Sequence, residues 1–308
     1  MDAHLNVTYV TFGGHVDLNT YRYVYFVIML TVYILIICSN STIVYLIVTR
    51  NNLHHPMYTF IAALLINSVV FSTAIYPKLL MDFLSEEQMT SYSACLFQCF
   101  LYYSLDGSEF LLLSAMAYDR YVSICKPLQY PNIMKKTTVR VLLAVAWFFP
   151  AAQIAVPVTL GANTKLCQFK LGGIFCNNSI YKLYCVSSRV LSLYGVIVLC
   201  NVILFPVIFI VSTYTKIFVI TYKSCGAVRM KVARTCLPHL LVLLNFCSLV
   251  TYDVITVKLE YEIPKAIRFI MTLQVILYHP LLNPIIYGLK MTEISKHIKR
   301  LFHKGEHN

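Results

Sequence analysis

Seven stretches of this chain are almost unbroken runs of apolar residues, and polar segments separate them. The runs are Tyr23–Val48, Met57–Met81, Ala94–Tyr118, Val139–Leu160, Val190–Ile220, Cys236–Val257 and Ile263–Leu289. Each is longer than the roughly 20 apolar residues that a helix needs to cross a bilayer. Composition agrees: 58% of the 308 residues are hydrophobic and only 12% are charged. A soluble domain carries roughly 25% charged residues, and the mean hydropathy here is +0.69. The expected fold is an all-α membrane protein, a seven-transmembrane helix bundle. Residues 1–22 precede the bundle, 23–289 form it and 290–308 follow it. The connections are short except Gly161–Arg189, which leaves no room for a separate soluble domain. No internal repeat is visible, which weighs against a transporter built from two related halves.

The net charge of +12 invites a nucleic-acid partner, but its distribution argues otherwise. With Met1 placed outside, the inner loops and tail hold sixteen of the 25 Lys and Arg residues, and the outer side holds nine. The positive-inside rule then puts the N-terminus outside and the C-terminus in the cytoplasm. The basic excess reads as a surface for the inner leaflet and for a partner, with no nucleic acid expected.

On the outer side, Asn6 and Asn177 each open a glycosylation sequon. The sequon at Asn40 lies inside the first span and is discounted. No cleavable signal peptide is evident, because the first apolar run is longer than an h-region of about 7–15 residues. That run is expected to act as its own signal anchor. Pro56 suits a first helical position, and Pro77 is expected to bend or end the second span. Cys95 opens the third span, and Cys167, Cys176 and Cys185 follow at nine-residue spacing in the long outer loop. They face an oxidising compartment. Four cysteines allow three pairings; the expected one joins Cys95 to Cys176 and Cys167 to Cys185.

Candidate chemistry concentrates on the third span. It ends in Met116-Ala117-Tyr118-Asp119-Arg120-Tyr121-Val122-Ser123-Ile124-Cys125, an acid–base pair between hydrophobic neighbours. Charges at the edge of a hydrophobic slab tend to be paired and functional. Above it, Tyr102, Asp106, Glu109, Leu113 and Arg120 follow one helical stripe. Two carboxylates inside a span are a functional signal, and each could be neutral or could hold a cation. Asn40 and Asn67, at the middle of the first two spans, read as structural glue between helices. The sixth segment opens with Lys231, Arg234 and His239, the last able to snorkel. In the seventh, Pro280 and Pro284 free backbone carbonyls that Asn283 can satisfy. Residues Met291–His303 form a basic amphipathic helix suited to the membrane surface, a short eighth helix.

Jointly these features resemble rhodopsin-like G-protein-coupled receptors: seven spans, Cys95, Asp119-Arg120-Tyr121, Trp147, Pro206, Tyr214 and Asn283-Pro284-Ile285-Ile286-Tyr287. Pro56-Met57-Tyr58, the Met116–Leu128 stretch, Thr235-Cys236 with His239-Leu240, and the three-cysteine outer loop narrow the resemblance to odorant receptors. The stretches Thr73–Leu80 and Cys236–Leu241 look closest to the fish type. The resemblance implies a cell-membrane protein of olfactory sensory neurons that binds a small odorant from outside. It would activate a stimulatory, olfactory-type heterotrimeric G protein and raise cyclic AMP. Arg120, held by Asp119 in the idle state, would be released as the sixth helix swings out and Tyr214 and Tyr287 move inward. Tyr121, Lys231, Arg234, His239, Asn283 and Pro284 would belong to the same switch. The odorant would lie among Tyr102, Tyr103, Asp106, Val198, Val202, Val250, Thr251, Val254, Leu273 and Ile276. Asp106 suits an amine or a polyhydroxylated ligand.

Two departures stand out. Asn67 replaces the Asp usual in the second span, so a structural sodium ion would rely on Glu109 with Asn67 and Asn283; no other cofactor is implied. Cys247 replaces the aromatic toggle of the sixth span. The alternatives are a non-olfactory rhodopsin-like receptor for an amine, lipid or peptide, which expression outside olfactory neurons would favour, and a multi-span transporter or channel, which ligand-evoked current without a G protein would favour. No nucleophile or metal motif points to an enzyme.

Overall fold

The protein is described here by a computed structural model covering residues 8–186, 188–222, 225–258 and 263–305. Seven long helices follow one another: α1 (Leu18–Thr49), α2 (Pro56–Leu84), α3 (Tyr92–Cys125), α4 (Lys136–Ala162), α5 (Arg189–Tyr222), α6 (Gly226–Lys258) and α7 (Lys265–Lys290). The short α8 (Thr292–Gly305) ends the chain. The helices α1, α2, α4 and α5 are each long and apolar enough to cross a membrane, and so is α7 if its two halves, bent by 41° between Tyr278 and Pro280, count as one span. α3 and α6 have the length, at 34 and 33 residues; Asp106 and Glu109 dilute the apolar character of α3, and the described part of α6 includes the apolar stretch His239–Tyr252.

Local chemistry fixes several ends. Pro56 starts α2, where the missing N–H would have had no partner. Ser91 caps α3, accepting from the Ala94 N–H at 3.3 Å. Pro77 does not end α2, which runs on to Leu84. α6 begins ten residues before the apolar run does, so its first turns stand clear of the hydrophobic slab. α5 contains a π-helical turn at Cys200–Leu204.

α3 is the axis of the bundle, packing against α2, α4, α5 and α6, while α7 packs against α1, α2 and α6. The best apolar window of α2 is 56% buried and that of α1 only 22%. α1 therefore turns most of its surface to lipid, and α2 is an inner helix. One core, including Phe110, Met116, Phe246 and Tyr287, fills the inner half of the bundle. A second, around Phe71, Tyr76 and Ile276, fills the outer half between α1, α2 and α7.

The segment before α1 holds more order than a polar tail. β1 (Tyr9–Phe12) lies between β2 (Met89–Ser91), antiparallel, and β3 (Lys170–Leu171), parallel. Thr11 sits opposite both Met89 and Lys170. Val10 and Phe12 are buried against Cys95, Leu171 and Cys176. Gly14 permits this closure, because a Cβ there would lie 2.5 Å from the backbone of Gly173. The disulfides are Cys95–Cys176 and Cys167–Cys185, the expected pairing. At the other end, α8 turns Ile294 and Ile298 onto the inner core, so that face packs partly on protein as well as toward lipid. Lys296 stays exposed and pairs with Glu293 at 2.8 Å.

Candidate functional site: a cavity and a gate joined by α3

A cavity of about 530 Å³ opens in the outer half of the bundle, within the usual range for small-molecule pockets. α3 supplies Tyr102, Tyr103, Asp106 and Gly107, α5 supplies Val198 and Val202, and α6 supplies Phe246 and Val250. Its roof is the helical turn Asn178–Leu183 of the long outer loop, which the two disulfides hold over the bundle. The Tyr103 hydroxyl accepts from the Asn178 N–H at 2.9 Å and ties the roof to α3. Gln98 ties it a second time, accepting from the Cys176 N–H at 2.9 Å.

Six of the side chains expected to meet a ligand line this cavity: Tyr102, Tyr103, Asp106, Val198, Val202 and Val250. Thr251 does not; it is exposed and its hydroxyl turns back to the Cys247 carbonyl at 2.7 Å. Leu273 and Ile276 do not either. They pack in the outer core, and the Ile276 carbonyl accepts from the Tyr76 hydroxyl at 3.3 Å. Val275 is the α7 residue on the cavity wall, so α7 is turned about its axis from the expected facing. The side chain of Val254 lies outside the described residues. Sequence reasoning missed the roof residues Asn178, Tyr181 and Lys182. Their only sequence signal is their place between Cys176 and Cys185.

Below the cavity, the polar groups of four helices meet at the middle of the bundle. Asn283 donates to Glu109 Oε1 at 3.0 Å and to Ser68 Oγ at 3.1 Å. Asn67 donates to the Leu105 carbonyl at 2.9 Å, tying α2 to α3. The Pro280 carbonyl, left without a helical partner because Pro284 has no N–H, is satisfied from α1: Asn40 donates to it at 3.0 Å. Asn283, expected both to satisfy such carbonyls and to reach another helix, does the second, bonding to α2 and α3. Asn67 Oδ1 is buried with no hydrogen-bond partner among the described residues. The Glu109 carboxylate, the Asn67 amide oxygen and the Ser68 hydroxyl are oxygen groups of the kind that hold a hard cation, whereas Asn283 turns its NH2 toward Glu109 and Ser68. Among the described residues, no group of three or more His, Cys, Asp or Glu side chains is placed to hold a metal.

The inner end of α3 carries the pair expected to form the gate. Arg120 donates to Asp119 Oδ2 from Nη2 at 2.6 Å and from Nε at 3.2 Å. Asp119 is fully buried, so water does not stand in for these partners and the pair is strongly held. Tyr130, on the single turn Tyr130–Ile133 of the second inner loop, donates to Asp119 Oδ1 at 2.7 Å. Burial, with Asp119 beside it, raises the Tyr130 phenol above its ordinary range. Tyr130 was not anticipated from the sequence. Tyr214 and Tyr287 are buried near this pair, and the Tyr287 hydroxyl lies 3.4 Å from His239 Nδ1. Tyr121 packs at the edge of the same core, and Pro284 is buried in α7. Lys231 and Arg234 fall on the first turns of α6, with side chains outside the described residues.

The outer sequons fare differently. Asn177 is half-buried and caps the roof turn, accepting from the Ser179 N–H at 3.1 Å and from its hydroxyl at 2.6 Å. The folded loop therefore engages this sequon and leaves its asparagine partly exposed. Asn6 lies outside the described residues.

A roofed cavity, an arginine held by a buried aspartate and seven long helices lie on one chain, and comparison with known proteins decides what kind of protein this is. The sequence profile of the olfactory receptor family matches residues 29–305. The chain belongs to the olfactory receptor family. Human olfactory receptor 10A5 is 32% identical over 289 residues, covering 91% of this chain and 88% of the relative. Human olfactory receptor 52A5 is 33% identical, covering 88% and 87%. Human olfactory receptor 4B1 is 31% identical, covering 99% and 98%. The protein is thus an odorant receptor and not an enzyme, a multi-pass membrane protein whose seven long helices are its spans. Olfactory receptors take small odorants as ligands and G proteins as partners. In this receptor, α3 contributes to the cavity, the polar midplane and the gate pair, and α7 reaches the same three levels through Val275, Asn283 and Tyr287.

Proposed function

We propose that this receptor binds a small odorant in the cavity beneath the Asn178–Leu183 roof and, when occupied, releases Arg120 to admit a stimulatory, olfactory-type heterotrimeric G protein, raising cyclic AMP. One observation carries the reading: Asp106 on the cavity wall and the Arg120–Asp119 latch belong to the same continuous helix. An odorant that shifts α3 against α5 and α6 biases a packing element with two discrete arrangements. The cavity walls are mainly apolar, with Asp106 and Lys182 the charged side chains among the described lining residues. That lining favours a compact apolar body bearing one or two polar groups, an amine among them. The N-terminus faces outward and the tail the cytoplasm, in keeping with the basic inner loops and the two disulfides on the opposite side. The cell membrane of olfactory neurons is the expected location.

A sodium ion would be held by Glu109 with Asn67 and Asn283; it would supply a fixed positive charge that steadies the midplane. The Glu109→Gln receptor then loses any sodium-dependent gain in thermal stability, and an unchanged gain removes the ion from this site. The main test is cyclic AMP output from the expressed receptor against an odorant panel. A response abolished by Arg120→Ala and weakened by Asp106→Ala is expected. An agonist whose potency is untouched by Asp106→Ala removes that residue from the site.

A further inference from the structure

Gly107 follows Asp106 and sits where three helices meet. A Cβ built there would fall inside van der Waals contact of Val202 Cγ1 on α5 and 2.9 Å from Pro150 Cβ on α4. Neither neighbour is the yielding end of a flexible side chain. Val202 is β-branched and stiff at χ1, and Pro150 is a ring in the interior of α4. Val202 is only 3% exposed and is the central residue of the π-helical turn Cys200–Leu204. Such turns insert one residue, re-aim the side chains on either side and occur often at functional sites. Here the turn presses Val202 into the notch left by Gly107, and both residues line the ligand cavity. Above the notch, Val198 and Leu199 face the cavity; below it, α5 runs on to Tyr214 beside the gate.

We propose that Gly107 is a specificity-determining residue: its missing side chain lets the π-turn of α5 close onto α3 and α4, and this three-helix joint sets how long a ligand the inner end of the cavity accepts. The inference rests on the reading of the cavity as the odorant site. Non-bonded carbons rest about 3.5–4.0 Å apart, so a methyl at position 107 must part α3 from α5 by on the order of 1 Å. Parting them lengthens the cavity and loosens the π-turn. Truncating Val202 lengthens the cavity from the other side without moving a helix.

Two measurements test this. The first is cyclic AMP output to a series of straight-chain primary alcohols and amines, butyl through decyl, in the receptor and in Val202→Ala and Gly107→Ala. A pocket distinguishes neighbours differing by one methylene about 10-fold or more. Val202→Ala is expected to move the preferred chain at least one carbon longer, with the potency order of the old and new optimum reversed by about that factor. The second needs no agonist: hydrogen exchange of the 198–206 backbone in the purified receptor. Gly107→Ala is expected to speed it about 10-fold, and Gly107→Ala with Val202→Ala to return it toward the parent rate. If Gly107→Ala does not reach the membrane, Val202→Ala carries the test alone. An unchanged chain-length preference in Val202→Ala, or unchanged exchange in Gly107→Ala, overturns the joint. A parent receptor silent to the whole series counts against the odorant reading, while the exchange result still decides the joint.

Discussion

Removing one hydroxyl at the cytoplasmic mouth should make this receptor noisy. Asp119 accepts two hydrogen bonds from Arg120 and a third, at 2.7 Å, from Tyr130. Tyr130 is itself fixed: its ring stacks on His55 with centroids 5.8 Å apart and planes 28° apart. Tyr130→Phe keeps that stacking and deletes the bond to the carboxylate, together with the longer 3.4 Å contact between the hydroxyl and His55 Nδ1. A hydrogen bond to a charged group is worth about 1.5–3 kcal/mol. The half-exposed position of Tyr130 lets water recover part of that, leaving about 1–2 kcal/mol lost from the idle state. On the proposed reading only the idle state holds Arg120 on Asp119, so the loss appears in the balance between states, as about 5- to 30-fold. Basal cyclic AMP should therefore rise at least about 5-fold at matched surface expression. The readout is cyclic AMP in cells without odorant, normalised to surface-labelled receptor. A Tyr130→Phe receptor as quiet as the parent, beside an Asp119→Asn receptor that is noisy, would refute the reasoning and leave Tyr130 with a purely structural role.

Three further outcomes follow from the outer cap. Replacing Cys167 and Cys185 by Ser opens a loop closed over 18 residues; about 3 kcal/mol of stability should be lost, seen as a lower half-inactivation temperature than the parent in detergent. Lys78 pairs with the buried Asp82 and donates to the Met89 carbonyl at 2.8 Å. Lys78→Met should cost about 3–5 kcal/mol by stranding that carboxylate, with surface expression partly restored by adding Asp82→Asn. His15 is 7% exposed, between Phe83 and Phe269. Burial first, then Lys265 and Lys78, lowers its pKa from 6.5 to about 4. The unfolded chain then binds the extra proton between those values, so the cap is at full strength above about pH 6.5 and weakens as pH falls toward 4. The loss reaches roughly 3 kcal/mol, and His15→Phe should flatten thermal stability across that window.

The spans and the gate pair were legible because each is written in local sequence, as apolar length and as an acid–base pair where lipid meets water, whereas the cysteine spacing left three disulfide pairings open. The cavity was legible on α3, where Tyr102, Tyr103 and Asp106 share one helical face. It was misread on α7, because the bend at Pro280 and the packing of Ile276 against Tyr76 are set by neighbours and not by α7 itself. Tyr130 and Lys182 were missed for a related reason. Both reach their sites through loops whose path depends on contacts distant in sequence: the roof is placed by disulfides, and the inner turn by Asp119. The early start of α6 escaped because hydropathy marks where a helix meets lipid, not where its hydrogen bonds begin.

The helix that organises this receptor is not one of its plainly apolar ones. α3 carries Asp106, Glu109, Asp119 and Arg120, and each charge dilutes the apolar signal by which α1, α2, α4 and α5 are recognised. Those charges are tolerable only because α3 touches four other helices and keeps Glu109 and Asp119 away from lipid. Lipid-facing helices such as α1 and α5 can be plainly apolar since they have little else to do at their outer face. The price of polar groups in a membrane is met by protein contacts, so they collect on the helix with the most neighbours. That same helix is then the one through which a change at any level, from odorant to latch, is felt by α5, α6 and α7 together. Signal and burial coincide on α3 because both require many neighbours.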